Sequence, residues 1–205
     1  MLIGVDFDNT IVCYDRLFHQ LALERGSIHA ALAADKEAVR NYLRQQDRED
    51  EWTELQGQAY GLRITEAFPF PGVREFFRLC RERAIPICVI SHKTRLPVRG
   101  PQVDLHQAAR RWLVHQGFFD PRGIGLPSEQ VFLEETKAGK LQRIGDQRCT
   151  HFIDDLPEFL QEPAFPPGVE RILFDPQERH GATDLFVRVS SWERLSERLL
   201  GRTRA

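Results

Sequence analysis

The chain of 205 residues has no long hydrophobic segment, and its first residues do not have the pattern expected of a secretory signal. No apolar run approaches the roughly 18 residues that a membrane-spanning helix requires. Asp6 and Asp8 interrupt the N-terminal stretch, where a secretory signal would carry basic residues and then an unbroken apolar segment. Internal repeats and low-complexity tracts are also lacking. These absences predict a cytoplasmic protein without a membrane partner.

Cysteine is scarce, and neither sign of charge dominates. The four cysteines are scattered, with no C-x-x-C pair, which predicts reduced thiols: Cys13, Cys80, Cys88 and Cys149. A catalytic thiol at Cys13, close to the acidic N-terminal motif, is the alternative. The formal net charge of -2 does not favour nucleic acid as a partner. Hydrophobic residues make up 41% of the chain, enough for the core of one domain, or of one domain with an insertion.

Strand and helix patterns alternate from Pro69 onward, which is typical of an α/β fold with a doubly wound, mainly parallel sheet of the Rossmann-like kind. Helical periodicity separates these strands and also closes the chain at 192–200. The strand patterns cover residues 2–5, 85–90, 131–133, 151–153, 171–174 and 185–189.

No strand pattern lies between residues 14 and 66, where helical spacing recurs at 15–25, 28–34, 35–46 and 52–60. This stretch leaves the predicted core just after its first strand. Residues 1–13 and 67–205 are therefore expected to form the α/β core, and residues 14–66 a small all-helical cap. An insertion at this point is placed to cover the carboxyl ends of the strands.

Polar side chains follow three of the predicted strands. Asp6 and Asp8 follow the first, Ser91 the second, and Asp154 with Asp155 a later one. Open α/β sheets bind their ligands at the carboxyl ends of the strands. Buried carboxylates are costly unless they are paired or bind a metal, and Mg²⁺ prefers oxygen ligands. The pattern predicts a phosphoryl-transfer site in which Mg²⁺ offsets the repulsion between carboxylates and a phosphate.

In this order, the motifs resemble those of the haloacid dehalogenase-like (HAD) hydrolase superfamily. Residues 6–10 match the D-x-D-x-T motif, Ser91 matches the Ser or Thr that ends an apolar strand, and residues 154–155 match the acidic pair. A Lys at a helix start completes the set. The segment 70–73, Phe-Pro-Gly-Val, is similar to members that carry a cap after the first motif. The resemblance covers nearly the whole chain.

The resemblance implies a role for each carboxylate. Asp6 would be the nucleophile that forms an aspartyl-phosphate. Asp8 would protonate the leaving group and then activate water. Mg²⁺ would be held by Asp6, by the carbonyl of Asp8 and by Asp154, with Asp155 in support.

Phosphate would be bound by Ser91, by the following amide at His92 and by a lysine. Lys137 is preferred to Lys140 because it occupies the first helical position after Thr136, the expected N-cap. His92 is either a donor to the substrate or a plain turn residue.

The second Asp of the first motif separates reaction classes. Dehalogenases of the superfamily lack this acid, because a halide needs no proton, so Asp8 favours a phosphatase or a phosphomutase. Asn9 stands where many phosphatase members have Gly, and Asn tolerates unusual backbone angles. A phosphatase of a small phosphorylated metabolite is the main prediction. A phosphomutase and a non-catalytic scaffold that binds a phosphorylated ligand are its alternatives.

The substrate is expected to be a sugar phosphate or a nucleoside monophosphate, and the protein a monomer or a homodimer. Lys93 and Arg95 lie in a basic loop directly after Ser91. They either contact a second anionic group of the substrate or belong to a solvated loop. Candidates for leaving-group contacts in the cap, with core or surface positions as the alternative, are Tyr14, Arg16, His19 and Trp52.

Overall fold

Six parallel strands form the main sheet of the structure, a computed structural model that describes residues 1–181 and 183–201. The strands of the chain are β1 (Ile3–Val5), β2 (Val12–Cys13), β3 (Phe68–Pro69), β4 (Ile87–His92), β5 (Val131–Glu134), β6 (His151–Asp154), β7 (Glu170–Phe174) and β8 (Val187–Val189). The main sheet has the order β5-β4-β1-β6-β7-β8, and β2 pairs with β3 in a separate two-stranded sheet. The predicted α/β class with a parallel sheet is confirmed.

Strand β1 lies in the centre of the sheet, between β4 and β6. Its last residue, Val5, is in register with Val89 of β4 and with Ile153 of β6. Strands buried on both faces read as continuous apolar runs, which is why these segments were visible in the sequence. Because all three strands run parallel, the residues after these positions emerge at one edge of the sheet.

Eight α-helices accompany the strands in the described residues. They are α1 (Asp15–Glu24), α2 (Lys36–Arg44), α3 (Glu49–Gly57), α4 (Val73–Glu82), α5 (Leu105–His115), α6 (Lys137–Asp146), α7 (Pro157–Leu160) and α8 (Trp192–Leu200). A side-chain oxygen accepts a backbone N–H at the start of four of them: Asp35 for α2, Asp104 for α5, Thr136 for α6 and Ser191 for α8. None of the helices in the described part of the chain has both the length and the apolar character needed to cross a bilayer.

The predicted helix at 28–34 is absent from the structure, where this stretch forms turns. The Leu32 amide donates to the His29 carbonyl in a single turn. Asp35 then adopts an extended conformation and caps α2 through the Ala38 amide. The cap fixes where helix α2 begins, and so limits the preceding segment to a connection.

The chain divides into two structural units. The α/β unit comprises Met1–Ile11, Pro69–Lys93 and the chain from Gly117 onward, and the helical unit comprises Val12–Phe68 and Thr94–Gln116. Residues 94–116 lie between two predicted strands in the sequence and were therefore expected to belong to the α/β core. In the structure they belong to the helical unit. Trp112 of α5 donates its indole N–H to the carbonyl of Ala67, 2.8 Å away.

Two glycines leave space for the segment before α5 to pack closely within the helical unit. A Cβ on Gly57 would lie 2.2 Å from the carbonyl oxygen of Arg99, and one on Gly61 would lie 2.5 Å from Val103. The helical path also continues through Gly61 as a short π-helix, Gln58–Leu62. Gly61 therefore lies inside the helical path and provides room for the neighbouring segment.

Aromatic side chains fill the interior of the helical unit. Phe18 stacks on Trp52 with 4.7 Å between ring centroids, and Tyr14 meets Tyr60 edge to face at 4.9 Å. Tyr14 and Trp52 are therefore core residues. His19 bonds to the carbonyl of Leu32.

The core of the α/β unit packs against β1 at Gly4. A Cβ at this position would lie 2.6 Å from the Phe152 ring and 2.9 Å from the Cys149 sulfur. The absence of a side chain allows Phe152, Phe159 and Phe165 to pack as one aromatic group beside the central strand. This packing fixes β1 and therefore the position of the polar residues that follow it.

Candidate active site

The ends of β1, β4 and β6 bring Asp6, Ser91 and Asp154 together. The amide of Asp6 donates to the carbonyl of Ile153 at 2.9 Å, which continues the pairing of β1 with β6 by one residue. The Ser91 hydroxyl donates to Asp6 Oδ1 at 3.0 Å. All three polar side chains are buried. The predicted convergence of strand ends is thus present in the structure.

Lys140 joins two of these carboxylates. Its Nζ lies 2.6 Å from Asp6 Oδ1 and 2.6 Å from Asp154 Oδ2. Burial alone would lower the pKa of Lys140, but the charges of Asp154 and Asp6 outweigh it and raise that pKa. Burial raises the pKa of Asp154 to about 6, against the opposing charge of Lys140. The three groups form one buried charge network.

Lys140 contacts the carboxylates, whereas Lys137 was expected to do so. Thr136 does cap α6, since its hydroxyl accepts the Gly139 amide, and Lys137 therefore occupies the first turn, where it is exposed. Lys140 lies one turn further along, on the buried face with Leu141 and Ile144. The position directly after the N-cap does not identify the lysine that contacts the carboxylates. What decides is which turn and which face of α6 the side chain occupies, because only a buried position one turn into the helix reaches the sheet.

Three carboxylates could hold a metal ion. Ligand oxygens of Asp6, Asp154 and Asp155 lie within 4.8 Å of one another. Both hydrogen bonds to Asp6 reach Oδ1, and none from the described residues reaches Oδ2. Thr10 donates to Asp155 Oδ1 at 3.5 Å. Hard oxygen donors of this kind fit Mg²⁺.

The Asp8 carboxylate lies outside this group and bonds to Lys93. Lys93 Nζ is 2.7 Å from Asp8 Oδ2, and only 3% of the Lys93 side chain is exposed, against 20% of the Asp8 side chain. Asn9, the next residue, has a φ of 57°, a left-handed conformation that Asn tolerates better than most residues with a side chain. The Asn that replaces the common Gly is thus compatible with the turn.

The remaining predicted residues are distributed between the two units. His92 ends β4 in the α/β unit, and desolvation with the charge of Lys140 lowers the pKa of its ring. Arg95 belongs to the helical unit and pairs with Asp104, 3.0 Å away. Lys93 belongs to the α/β unit and contacts Asp8, and for both residues a contact to substrate stays a prediction.

A compositional signal could have singled out both buried lysines. The chain has only four lysines, Lys36, Lys93, Lys137 and Lys140, against 24 arginines. Arginine supplies nearly all the cationic side chains, so each lysine is unusual. Two of the four are buried, and both bond to carboxylates at the carboxyl end of β1.

Solved structures of HAD hydrolases match this fold over almost the whole chain. A HAD family hydrolase from Deinococcus radiodurans, with bound phosphate and sodium, has 18% identity and a TM-score of 0.58, with 97% of this chain and 94% of that chain covered. The HAD hydrolase YfnB from Bacillus subtilis, bound to magnesium, has 10% identity and a TM-score of 0.53, with 97% of each chain covered.

The chain has the haloacid dehalogenase-like fold. A HAD hydrolase of family IA, variant 3, from Entamoeba histolytica has 8% identity and a TM-score of 0.59. The match covers 98% of this chain and 97% of that chain. No protein-family model matches the sequence, and no curated protein does. The resemblance predicted from the motifs is therefore confirmed at the level of the HAD-like fold.

Proposed function

We propose that the protein is a Mg²⁺-dependent phosphatase that hydrolyses a small phosphorylated metabolite through an aspartyl-phosphate on Asp6. The observation that carries the proposal is the arrangement around this carboxylate. Ser91 and Lys140 both bond to Oδ1, so that Oδ2 is left as the nucleophilic oxygen. A carboxylate that is oriented by two hydrogen bonds and neutralised by a lysine is suited to attack an anionic phosphate.

The first chemical step transfers the phosphoryl group to the protein. Asp6 Oδ2 forms a bond to phosphorus as the bond to the leaving oxygen breaks, and Asp8, which enters this step protonated on Oδ1, gives that oxygen its proton. Lys140 offsets the repulsion between the two carboxylates and the incoming phosphate. Ser91 can turn its hydroxyl from Asp6 to a phosphoryl oxygen, because a hydroxyl rotates to suit its partner.

The second step regenerates the enzyme. Asp8, now ionised, takes a proton from water, and the resulting hydroxide attacks the phosphorus of the aspartyl-phosphate. The bond between phosphorus and Asp6 breaks, which releases inorganic phosphate and restores the carboxylate. One residue therefore acts as acid and then as base, a role typically worth about 10²–10⁴-fold in rate.

The carboxylates Asp6, Asp154 and Asp155, with the carbonyl of Asp8, are the groups that would hold Mg²⁺. When bound, the ion supplies positive charge that stabilises the transferring phosphoryl group. The related structures support this assignment, since one was solved with phosphate and sodium and another with magnesium. The acid at position 8 favours phosphate esters over halides as substrates.

A sugar phosphate or a nucleoside monophosphate is the proposed substrate. The helical unit, Val12–Phe68 with Thr94–Gln116, is the proposed cap that would select such a molecule. Its role as a cap stays a prediction from the sequence. A cytoplasmic location and a monomer or homodimer complete the proposal.

The test is phosphate release from sugar phosphates, nucleoside monophosphates and 4-nitrophenyl phosphate, with Mg²⁺ and with a chelator. Asp6→Asn should abolish release, because an amide oxygen is a poor nucleophile. Asp146→Asn is the matched control, since Asp146 is exposed at the end of α6. Release that needs Mg²⁺, stops in Asp6→Asn and persists in Asp146→Asn would support the phosphatase.

Other outcomes would redirect the assignment. An isomeric phosphate ester in place of free phosphate would indicate a phosphomutase. Binding of a phosphate ester without turnover would indicate a scaffold. Full activity in Asp6→Asn would overturn the choice of nucleophile.

A further inference from the structure

We propose that Lys93 is a positioning residue that binds Oδ2 of the Asp8 carboxyl group and so holds its other oxygen in place for proton transfer to the leaving group. The inference rests on the proposed phosphatase function and adds a residue to it. Lys93 Nζ lies 2.7 Å from Asp8 Oδ2, and its side chain is almost fully buried. Removing an ammonium from water is costly unless it is paired, and Asp8 supplies that pairing.

Lys93 is itself held firmly by its surroundings. Its backbone N–H donates to the carbonyl of Glu134, 2.8 Å away, which extends the pairing of β4 with β5 by one residue. Its Nζ also lies 5.7 Å from the centroid of the Phe7 ring. An anchored donor restricts its acceptor, so the bond to Lys93 selects one of the rotamers that a short carboxylate side chain can adopt.

The two carboxylates of the D-x-D motif are thereby given different partners. Asp6 bonds to Lys140 and joins the group of potential metal ligands, whereas the Asp8 side chain bonds to Lys93 and does not belong to that group. Without Lys93, the Asp8 carboxylate could turn toward the cation that Asp6 and Asp154 would hold. The position of Lys93 thus reserves Asp8 for proton transfer.

This role differs from that of a substrate ligand. A lysine that binds the phosphoryl group would contribute equally to every phosphate ester. A lysine that positions the general acid matters only when the leaving oxygen needs a proton. The dependence of the rate on the leaving group therefore separates the two roles.

The experiment measures kcat/KM for 4-nitrophenyl phosphate, phenyl phosphate and 2-glycerol phosphate, because this constant reports the step in which the leaving group departs. Asp8→Asn sets the reference, with an expected loss of about 10²–10⁴-fold for the alkyl ester. Lys93→Met should lower kcat/KM for the alkyl ester by about 10–100-fold, and for 4-nitrophenyl phosphate by about threefold or less. Lys93→Arg should recover part of the loss, since it keeps the charge and the donor.

A double variant tests whether Lys93 acts through Asp8. Asp8→Asn with Lys93→Met should match Asp8→Asn alone within about twofold, because no acid is left to position. Equal losses of the single Lys93→Met variant on all three esters, or additive losses in the double variant, would overturn the inference. If Lys93→Met does not fold by circular dichroism, Lys93→Gln carries the same comparison.

The outcomes also separate this inference from the proposed function. If the unchanged protein hydrolyses no ester in the presence of Mg²⁺, both proposals fail. If hydrolysis requires Asp6 but its leaving-group dependence is the same with and without Lys93, only the positioning role fails.

Discussion

The α/β unit and the helical unit differ in whether they bury charged side chains. Every buried charged side chain in the described residues lies in the α/β unit: Asp6, Lys93, Lys140, Asp154 and Asp175. The helical unit keeps its ion pairs near the surface, as between Arg99 and Asp50, whose side chains are 49% and 73% exposed. Its interior is aromatic instead.

The difference indicates which charges serve the site. Exposed ion pairs contribute at most about 1 kcal/mol each, so their number says little about stability or function. Buried charges are costly, and a fold retains them where they are paired or where function requires them. Asp175 is accounted for by local structure, since it accepts the amides of Arg179 and His180 in a loop. The other four all lie at the carboxyl end of the sheet, beside β1.

The largest effect should come from removing the buried lysine that contacts Asp6, the proposed nucleophile. Lys140→Met should lower kcat/KM for 4-nitrophenyl phosphate by about 10²–10³-fold, because it removes a preorganised cation from the place where charge is transferred. Lys137→Met changes an exposed lysine on the same helix and should cost about threefold or less, since solvent screens it. Similar losses in the two variants would mean that burial does not distinguish them.

The same contrast should appear in stability. Without metal, Lys140→Met leaves Asp6 and Asp154 buried without their cation, and should lower the free energy of unfolding by about 3–5 kcal/mol. Arg99→Met, which breaks an exposed pair of the helical unit, should cost less than about 1 kcal/mol. Urea denaturation with a chelator measures both. Equal costs would remove the distinction between the two units.

A smaller effect is expected from metal binding to the buried carboxylates. At ten times its dissociation constant, Mg²⁺ should stabilise the protein by about 1.4 kcal/mol. The melting temperature should therefore rise by about 3–6 °C. Asp155→Asn should remove most of this rise, because Asp155 belongs to the carboxylate group, whereas Asp146→Asn should keep it. A rise that persists in Asp155→Asn would mean that Mg²⁺ binds elsewhere.

The sheet and the acidic motifs could be predicted because their signals are local. An apolar run such as 87–90 identifies a strand, and the polar residue after it identifies a strand end. The choice between Lys137 and Lys140 depends on how far α6 reaches beside the sheet, which no local pattern encodes. The Lys93–Asp8 pair joins residues 85 positions apart in sequence. The place of α5 depends on Gly57 and Gly61, whose missing side chains matter only through contacts that are distant in sequence.

The smallest effect on activity should come from substituting Cys13. This thiol belongs to the helical unit and lies close to the acidic motif in sequence. Burial and the nearby charge of Asp15 raise the pKa of the Cys13 thiol to about 11. At pH 7 only about one thiol in 10⁴ would then be the reactive thiolate. Cys13→Ser should keep kcat/KM within about twofold, and alkylation of Cys13 by iodoacetamide, followed by mass spectrometry, should be slow at pH 7 and accelerate toward pH 11. Rapid alkylation at pH 7 together with lost activity would reveal a thiol that takes part in catalysis. It would contradict the expectation that the catalytic side chains belong to the α/β unit and not to the helical unit.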